Sequence, residues 1–532
     1  MLLNLESLKN DSWGNVSLPK FDIEAVRKNT HDRPVWLHFG AGNIFRGFIA
    51  SLQQKLLDSG EADRGIIAAD TFDYEIIEKI YKAYDNLTLS VSLLPNGETE
   101  SEIIASVCEA LAADSSDEDT RTRFYEIAQN PSLQMISFTI TEKGYAVKSS
   151  SGELMEIVKS DIANGPRYPH HAMSFVAALL LRRYEANGAP LALVSMDNCS
   201  KNGEKLKEGV LTIAKGWVEN GYAADGFIEY ITDESKVSFP WSMIDKITPR
   251  PSEKVMRMLG DMGVENISPI VTSKNTFIAP FVNAEKPQYL VIEDSFPNGR
   301  PALEKAGVYM TDRDTVNKTE RMKVTTCLNP LHTALAVYGC LLGYTLICDE
   351  MKDEDLVKLI KRLGYVEGLP VVTDPKILSP KAFIDEVVEK RLPNPFMPDA
   401  PQRIATDTSQ KVGIRFGETI KSYAKNGDTD SLIAIPLAIA GWLRYLLGVD
   451  DNGKPIEISS DPLKDELQAV LSGIELGHPE SYNGQLRSIL SNERIFGSNL
   501  VEIGMSEKIE EMFVKEISST GAVRKTLQEY LC

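Results

Sequence analysis

The pattern of hydrophobic positions divides the chain into two parts of different character. In the first part, short apolar runs alternate with helical patterns, and strands are predicted at residues 34–39, 65–70, 134–141, 191–195 and 289–292. From about residue 298 amphipathic helices are predicted instead, at residues 331–348, 353–363, 380–390, 430–447, 462–471 and 506–516. Strands that alternate with helices form largely parallel sheets. We therefore expect an α/β N-terminal domain at residues 1–297 and a mostly α-helical C-terminal domain at residues 298–532, with residues 294–300 as the linker.

A glycine turn follows the first predicted strand. Gly40 and Gly42 precede a helical pattern, and the second predicted strand ends in Asp70. This order is typical of the dinucleotide-binding βαβ unit of Rossmann-type domains, in which the helix N-terminus favours the pyrophosphate charge. Asp70 would accept hydrogen bonds from the adenosine ribose, which favours NAD over NADP. The alternative is an ordinary strand-to-helix turn, because the third glycine, Gly47, lies five residues after Gly42 rather than three.

Polar clusters also follow other predicted strands. Thr141-Glu142-Lys143-Gly144-Tyr145 follows one of them, and Asp197-Asn198 follows another. Because the carboxyl ends of parallel strands share one edge of the sheet, we expect these clusters and Asp70 to line one crevice. Each cluster alone is also explained by turn chemistry, since Asn and Asp favour turns.

Three further segments carry local predictions. Residues 87–94 and the run from Thr99 flank Pro95-Asn96-Gly97, a predicted hairpin. Residues 239–249 contain two prolines and are predicted to form an ordered loop, in which Asp245 is either paired or functional. Residues 394–411 are predicted to form a solvated loop.

The densest group of chemically active side chains lies within residues 320–332. Lys323, Asn329 and His332 stand there among apolar neighbours. A lysine in apolar surroundings has a lowered pKa and can exchange protons. The alternative is that Lys323 reaches solvent, Asn329 caps a helix that begins at Pro330, and His332 is a core residue.

Composition and charge narrow the class of protein. The chain has 532 residues, of which 43% are hydrophobic and 25% charged, the balance of a globular protein with two or three domains. A net charge of −19 argues against binding to nucleic acid. No apolar run approaches the roughly 18 residues of a membrane span, and the N-terminus lacks the pattern of a signal peptide. Six histidines and six scattered cysteines show no ligand or disulfide spacing, so we expect no metal and a cytoplasmic location.

Seven motifs in a fixed order make the chain resemble the polyol-specific long-chain dehydrogenases, the mannitol 2-dehydrogenase and fructuronate reductase family. They are His38-Phe39-Gly40-Ala41-Gly42-Asn43, Thr141-Glu142-Lys143-Gly144-Tyr145, Ser195-Met196-Asp197-Asn198 with Asn202-Gly203, Asp245-Lys246-Ile247-Thr248-Pro249, Glu320-x-x-Lys323, Asn329-x-x-His332, and Arg403 followed eight residues later by Lys411. The resemblance runs from about residue 34 to beyond residue 411. It implies an NAD(H)-dependent, zinc-independent oxidoreductase that interconverts a keto sugar or sugar acid and its alcohol in the cleft between the two domains.

The resemblance also implies a role for each matching residue. Lys323 would be the general base in oxidation and the general acid in reduction, with Asn198 and Asn329 as donors to the developing alkoxide. His332 would orient the substrate oxygen, and Glu320 would connect Lys323 with solvent. The implied substrate-binding residues are Asp245, Arg403 and Lys411. The implied cofactor-binding residues are Gly40, Ala41, Gly42, Asn43, Ile44, Phe45, Asp70, Thr141 and Glu142.

Within the family, several substrates fit the sequence. The chain length and the loop Asn43-Ile44-Phe45-Arg46-Gly47 resemble the uronate-pathway members, which favours the reduction of fructuronate to mannonate. The alternatives are mannitol or another polyol, tagaturonate, and a dinucleotide-binding protein that has lost catalysis. The resemblance further implies a monomer or weak homo-oligomer that acts on a small molecule.

One departure from the family pattern concerns the spacing around Lys323. The family usually shows four residues between the lysine and the asparagine, whereas five separate Lys323 from Asn329. On a regular helix the added residue would rotate Lys323 by about 100° relative to Asn329 and His332. We predict that a π-bulge or break between Val324 and Asn329 absorbs it, because Pro330 removes a backbone donor.

Overall fold

The structure is a computed structural model that describes residues 1–9 and 13–531. The chain forms two compact units. The first comprises Met1–Leu94 and Glu98–Asn317, and the second comprises Pro95–Gly97 and Lys318–Cys532. Residues 298–317 thus belong to the first unit, although the predicted boundary lay after residue 297. The reason is a non-local pairing, since the strand Tyr309–Thr311 joins the strand Tyr289–Glu293.

The strands lie in the first unit. In chain order they are β1 (Trp36–Phe39), β2 (Ile66–Asp70), β3 (Thr88–Leu93), β4 (Thr99–Ile104), β5 (Val107–Ala112), β6 (Met135–Phe138), β7 (Leu191–Ser195), β8 (Val237–Ser238), β9 (Ser242–Asp245), β10 (Ile270–Val271), β11 (Phe277–Ile278), β12 (Phe281–Glu285), β13 (Tyr289–Glu293) and β14 (Tyr309–Thr311). The main sheet has six strands in the order β5-β2-β1-β6-β7-β8, and all of its pairings are parallel. This is the strand order of a Rossmann fold, and the order reverses between β1 and β6. The predicted Rossmann-type domain is confirmed.

The main sheet is covered by helices. The α-helices of the first unit are α1 (Ile23–Asp32), α2 (Ala50–Asp58), α3 (Tyr74–Ile76), α4 (Glu118–Gln129), α5 (Thr141–Tyr145), α6 (Glu156–Asn164), α7 (Ala172–Ala186), α8 (Asn202–Glu219), α9 (Gly226–Thr232), α10 (Glu253–Asp261) and the start of α11 (Arg313–Met322). A π-helix at Phe45–Ile49 precedes α2, and another at Ile77–Tyr81 follows α3. Two hydrophobic clusters of buried residues fill the space between strands and helices, one of them built around Phe39, Phe124 and Phe175.

Two of the local predictions, the hairpin and the loop at residues 239–249, concern strands of the smaller sheets. β3 and β4 pair antiparallel on either side of Pro95–Gly97, so the predicted hairpin is confirmed. The predicted loop at residues 239–249 is wrong for Ser242–Asp245, which forms β9 and pairs antiparallel with β13. Pro240 and Pro249 lie outside the paired residues, where the missing N–H group costs no ladder hydrogen bond.

Helices make up the second unit, as predicted. Its α-helices are the end of α11, α12 (Asn329–Leu342), α13 (Ile347–Glu350), α14 (Glu354–Lys361), α15 (Pro380–Glu386), α16 (Pro401–Ile404), α17 (Val412–Arg415), α18 (Gly417–Asn426), α19 (Ala434–Tyr445), α20 (Lys464–Val470), α21 (Leu486–Leu490), α22 (Glu493–Phe496), α23 (Ser506–Glu516) and α24 (Ala522–Leu531). Three π-helices interrupt them, at Lys323–Cys327, Arg362–Gly368 and Val387–Arg391. Within residues 1–9 and 13–531, no helix is long and apolar enough to cross a membrane.

One buried acid makes the stability of the second unit depend on pH. Glu350 is fully buried, and neither carboxyl oxygen has a hydrogen-bond partner in the described chain. Burial raises the pKa of Glu350 from 4.5 to about 9. Because the folded-state pKa exceeds the unfolded one, the stability contributed by the protonated group is complete below pH 4.5 and is lost as pH rises towards 9.

We expect Glu350→Met to stabilise the protein more at pH 8 than at pH 5. The methionine does not titrate, so the gain should grow by up to about 1.4 kcal/mol per pH unit in this range. Urea unfolding at both pH values measures it, with the exposed Glu457→Met as the matched control. An equal gain at both pH values would contradict the titration of Glu350.

Candidate functional site

The glycine turn after β1 has the geometry of a dinucleotide-binding loop. Gly40 has a φ of +104°, and a Cβ there would lie 2.2 Å from the Thr139 backbone oxygen, so only glycine fits. A Cβ on Gly42 would meet no protein atom within 4 Å, which leaves space for a ligand beside the backbone. The helix begins at Asn43, and the Asn43 Oδ1 atom is buried without a hydrogen-bond partner in the described chain. The open glycine and the helix N-terminus fit the pyrophosphate end of NAD, whose oxygens accept hydrogen bonds from N–H groups, whereas the Asn43 Oδ1 atom can only accept from a donor such as a hydroxyl.

Asp70 holds this loop in place. Its Oδ2 atom accepts a hydrogen bond from the Ala41 N–H at 3.0 Å, and its Oδ1 atom accepts from the Phe72 and Asp73 N–H groups at 2.8 Å. The side chain is buried, and burial raises its pKa. A carboxylate has about four lone-pair sites, so Asp70 keeps capacity for one further donor, such as a ribose hydroxyl.

Two residues of the predicted cofactor set are also packing residues. Phe45 is fully buried and stacks on His38 with ring centroids 4.1 Å apart, so only its backbone is available to a ligand. The Ala41 carbonyl accepts a hydrogen bond from the Tyr81 hydroxyl at 3.0 Å. The third glycine of the motif packs against β12, where a Cβ on Gly47 would lie 2.7 Å from Val282. Gly47 therefore brings helix and strand close together, as the third glycine of the usual motif does.

The polar clusters after β6 and β7 are joined directly. The Asp197 carboxylate accepts hydrogen bonds from the Ile140 N–H at 2.8 Å, the Thr141 N–H at 3.0 Å and the Tyr145 hydroxyl at 2.5 Å. Thr141 has a φ of +66°, so this turn is held in an uncommon backbone conformation. These clusters and Asp70 lie at the carboxyl edge of the parallel sheet, as predicted. Asn198 is exposed beside Asp197, and Glu142 is exposed and paired with Lys205.

The extra residue between Lys323 and Asn329 is absorbed by a π-helix. α11 ends at Met322, and Lys323–Cys327 forms the wide turn, closed by the Leu328 N–H donating to the Lys323 carbonyl at 3.1 Å. Leu328 then leaves helical geometry, with φ −128° and ψ −63°, before α12 begins. The predicted π-bulge or break between Val324 and Asn329 is confirmed. Lys323 is 2% exposed, so it does not reach solvent as the alternative required.

The side chains that follow the π-helix have few partners. Leu328 is the N-cap of α12, so Asn329 does not cap the helix, and its side chain makes no hydrogen bond with the described residues. The His332 Nε2 atom is buried and has no hydrogen-bond partner among the described residues. The Asp399 Oδ2 atom lies 3.8 Å from it. Burial lowers the pKa of His332 to about 4, so the imidazole is uncharged at neutral pH. An uncharged imidazole and a free amide can both bind a substrate hydroxyl.

Basic side chains surround His332 in the second unit. The guanidinium groups of Arg415, Arg403 and Arg391 are close enough to lower the pKa of His332. Arg403 forms an ion pair with Asp399. The predicted loop at residues 394–411 is wrong for Pro401–Ile404 and Thr408–Gln410, which form short helices that position Arg403 and Lys411.

Arg415 and Asp399 are parts of this cluster that the sequence reasoning missed. The signal was available for Arg415, which follows Lys411 by four residues and therefore shares its helix face. Asp245 lies at the end of β9 and is buried, and Glu320 is half-buried in α11. Within the described chain, no group of three or more His, Cys, Asp or Glu side chains is arranged to hold a metal ion.

The strand order of the main sheet and the glycine turn after β1 define a Rossmann-type dinucleotide-binding protein with a helical second unit. The chain belongs to the mannitol dehydrogenase family: residues 35–305 match the mannitol dehydrogenase Rossmann domain, and residues 315–515 match the mannitol dehydrogenase C-terminal domain. It is 54% identical over 536 aligned residues to D-mannonate oxidoreductase of Thermotoga maritima, with 99% of each chain covered.

Two solved structures are similar to the chain over nearly its whole length. Mannitol 2-dehydrogenase of Pseudomonas fluorescens, solved as a ternary complex with NAD and D-mannitol, has a TM-score of 0.70 and 26% identity and covers 100% of this chain and 99% of its own. A D-sorbitol dehydrogenase in substrate-free form has a TM-score of 0.78 and 24% identity, with 98% of this chain and 100% of its own covered. The second likeness shows the fold alone.

Proposed function

We propose that this protein is an NAD-dependent oxidoreductase that interconverts D-mannonate and its keto acid, D-fructuronate. The observation that carries the proposal is the 54% identity to the Thermotoga maritima D-mannonate oxidoreductase across 99% of both chains. Mannitol or another polyol, and the tagaturonate pair, are the alternative substrates, since the family also contains mannitol dehydrogenases.

The first unit is proposed to bind the cofactor. When bound, NAD would supply the hydride acceptor for alcohol oxidation, and NADH the hydride donor for ketone reduction. The open space beside Gly42 and the helix N-terminus at Asn43 support a place for the pyrophosphate. The remaining acceptor capacity of Asp70 supports a contact with the adenosine ribose, and a carboxylate there disfavours the additional phosphate of NADP.

The second unit is proposed to carry the proton transfer. Alcohol oxidation removes a proton from oxygen while hydride leaves carbon, so the reaction needs a base and a stabiliser of the alkoxide. Lys323 is buried at the first position of the π-helix, and we assign it the role of base in oxidation and acid in reduction. Asn329, with Asn198, is assigned the alkoxide contact, and His332 the orientation of the substrate oxygen. Glu320 is assigned the connection of Lys323 with solvent.

The assay that tests this function is NAD- or NADP-linked turnover of D-mannonate, D-mannitol, D-altronate and D-arabinitol by the purified full chain. We expect D-mannonate with NAD⁺ to give the highest kcat/KM of the eight pairs, and D-fructuronate to be reduced with NADH. Turnover of D-mannitol above D-mannonate would favour a polyol dehydrogenase. No turnover with any pair would contradict the dehydrogenase function and favour a binding protein.

Location and assembly follow the same proposal. We propose that the protein acts in the cytoplasm as a monomer or weak homo-oligomer on a small-molecule substrate. Cys108, Cys327, Cys340 and Cys348 form no disulfide with any described residue, which supports a reducing compartment.

A further inference from the structure

Two cations of the second unit stand one helical turn apart. Lys411 immediately precedes α17 and Arg415 ends it, so their side chains lie on the same face, and the Arg415 N–H donates to the Lys411 carbonyl at 2.9 Å. Lys411 Nζ donates to the Thr406 carbonyl, and Arg415 Nη1 donates to the Thr333 hydroxyl. In the part of the chain that the structure describes, neither cation has a carboxylate within ion-pair distance.

This arrangement is unfavourable without an anion. Like charges at i and i+4 repel each other, and burial together with the charge of Arg415 lowers the pKa of Lys411. Arg415 is half-buried, and burial lowers the pKa of its guanidinium to about 10, as expected for a cation that is partly removed from water. Asp407 and Asp461 act on Lys411 only at longer range. The net charge of the whole chain is −19, so an uncompensated basic pair here is a local exception.

The pair adjoins the proposed substrate site. The Arg415 charge is felt by the imidazole of His332, and the hydroxyl that accepts from Arg415 donates in turn to the Asn329 carbonyl at 2.8 Å. Arg403 differs from Arg415, since it is paired with Asp399 and its side chain is 67% exposed. Arg415 is therefore the better placed of the two for a charged group of a substrate held by His332.

We propose that Arg415, supported by Lys411, binds the carboxylate of the sugar acid and sets the preference for an aldonate over a neutral polyol. A planar guanidinium presents two parallel N–H groups that match the two oxygens of a carboxylate, which a primary alcohol does not offer. This inference rests on the proposed function, because it names the group that selects D-mannonate within the same site.

The test compares Arg415→Met with the wild type, with Arg415→Lys, and with Arg494→Met, an exposed arginine of the same unit, as the matched control. We expect Arg415→Met to raise the KM for D-mannonate on the order of 10²-fold, because a half-buried charged partner of the carboxylate is lost. The ratio of kcat/KM for D-mannonate to that for D-mannitol should fall by a similar factor. Arg415→Lys should show a smaller rise in KM, and millimolar guanidinium ion should partly restore Arg415→Met. Arg494→Met should keep the wild-type KM for D-mannonate and the wild-type ratio of kcat/KM values. The affinity for NADH should stay unchanged in the variants.

Two outcomes would overturn the inference. An unchanged KM for D-mannonate in Arg415→Met removes Arg415 from carboxylate binding. An equal loss for D-mannonate and D-mannitol, with kcat rather than KM affected, makes Arg415 a positioning residue that acts through Thr333 and Asn329. If Arg415→Met does not fold, Arg415→Lys decides by the same comparison. A wild type that fails to oxidise D-mannonate contradicts the proposed function itself, which is a different result from either of these.

Discussion

Replacing Lys323 with alanine is expected to lower turnover by about 10²–10⁴ while NADH binding stays intact, which is the usual effect of removing a general base. The reason is chemical, because Lys323 is the buried amine at the start of the π-helix, and NADH is proposed to bind to the other unit. Steady-state kcat measures the first effect, and the fluorescence titration of NADH measures the second.

The control for this prediction is Lys358→Ala, which removes an exposed lysine from a helix of the same unit. It should leave both kcat and NADH binding at wild-type values. Unimpaired turnover in Lys323→Ala would remove Lys323 from the reaction. Loss of both NADH binding and turnover would instead indicate that the substitution disturbs the structure. Thermal unfolding of the variant would reveal such a disturbance.

Inserting one alanine after Val324 is expected to lower turnover nearly as far as Lys323→Ala does, without removing any catalytic side chain. The π-helix Lys323–Cys327 already accommodates one residue beyond the family spacing. A second added residue would rotate Lys323 by about 100° relative to Asn329 and His332. A misplacement of the base costs nearly as much as its absence, since proton transfer requires hydrogen-bond distance.

The matched control keeps the chain length. Val324 is half-buried, so Val324→Ala removes two methyl groups, and we expect it to cost about 1 kcal/mol of stability and little activity. Both variants are compared by kcat with D-mannonate and by urea unfolding. An insertion variant that is folded and as active as Val324→Ala would show that the spacing at the π-helix does not set the position of the base.

Local patterns predicted much of the fold correctly. β1, β2, β6 and β7 were all predicted, because buried parallel strands are continuous apolar runs. Ser242–Asp245 was missed, because its strand character comes from pairing with β13 more than 40 residues later in the chain. The same non-local pairing explains why residues 298–317 stay with the first unit.

The candidate site shows a similar limit. The π-helix at Lys323–Cys327 was predictable because a residue count against the family pattern fixes where the extra residue must be accommodated. The hydrogen bonds by which Asp70 holds the glycine turn were not predictable. The Ala41 N–H group lies 29 residues away and donates only once the sheet has formed. Arg415 was missed because the family pattern ends at Lys411, and charge alone does not tell which arginine lacks an acidic partner.

The Asp70 carboxylate has a consequence for the thermodynamics of cofactor binding. By holding the N–H groups of Ala41, Phe72 and Asp73, it fixes the shape of two loops as part of folding. The conformational entropy of these loops is thus lost before a dinucleotide arrives, and binding does not have to order them. The loop is preorganised, so the dinucleotide binds to a surface that is already rigid. The free-energy cost of ordering this surface lowers the stability of the first unit instead of the affinity for the dinucleotide.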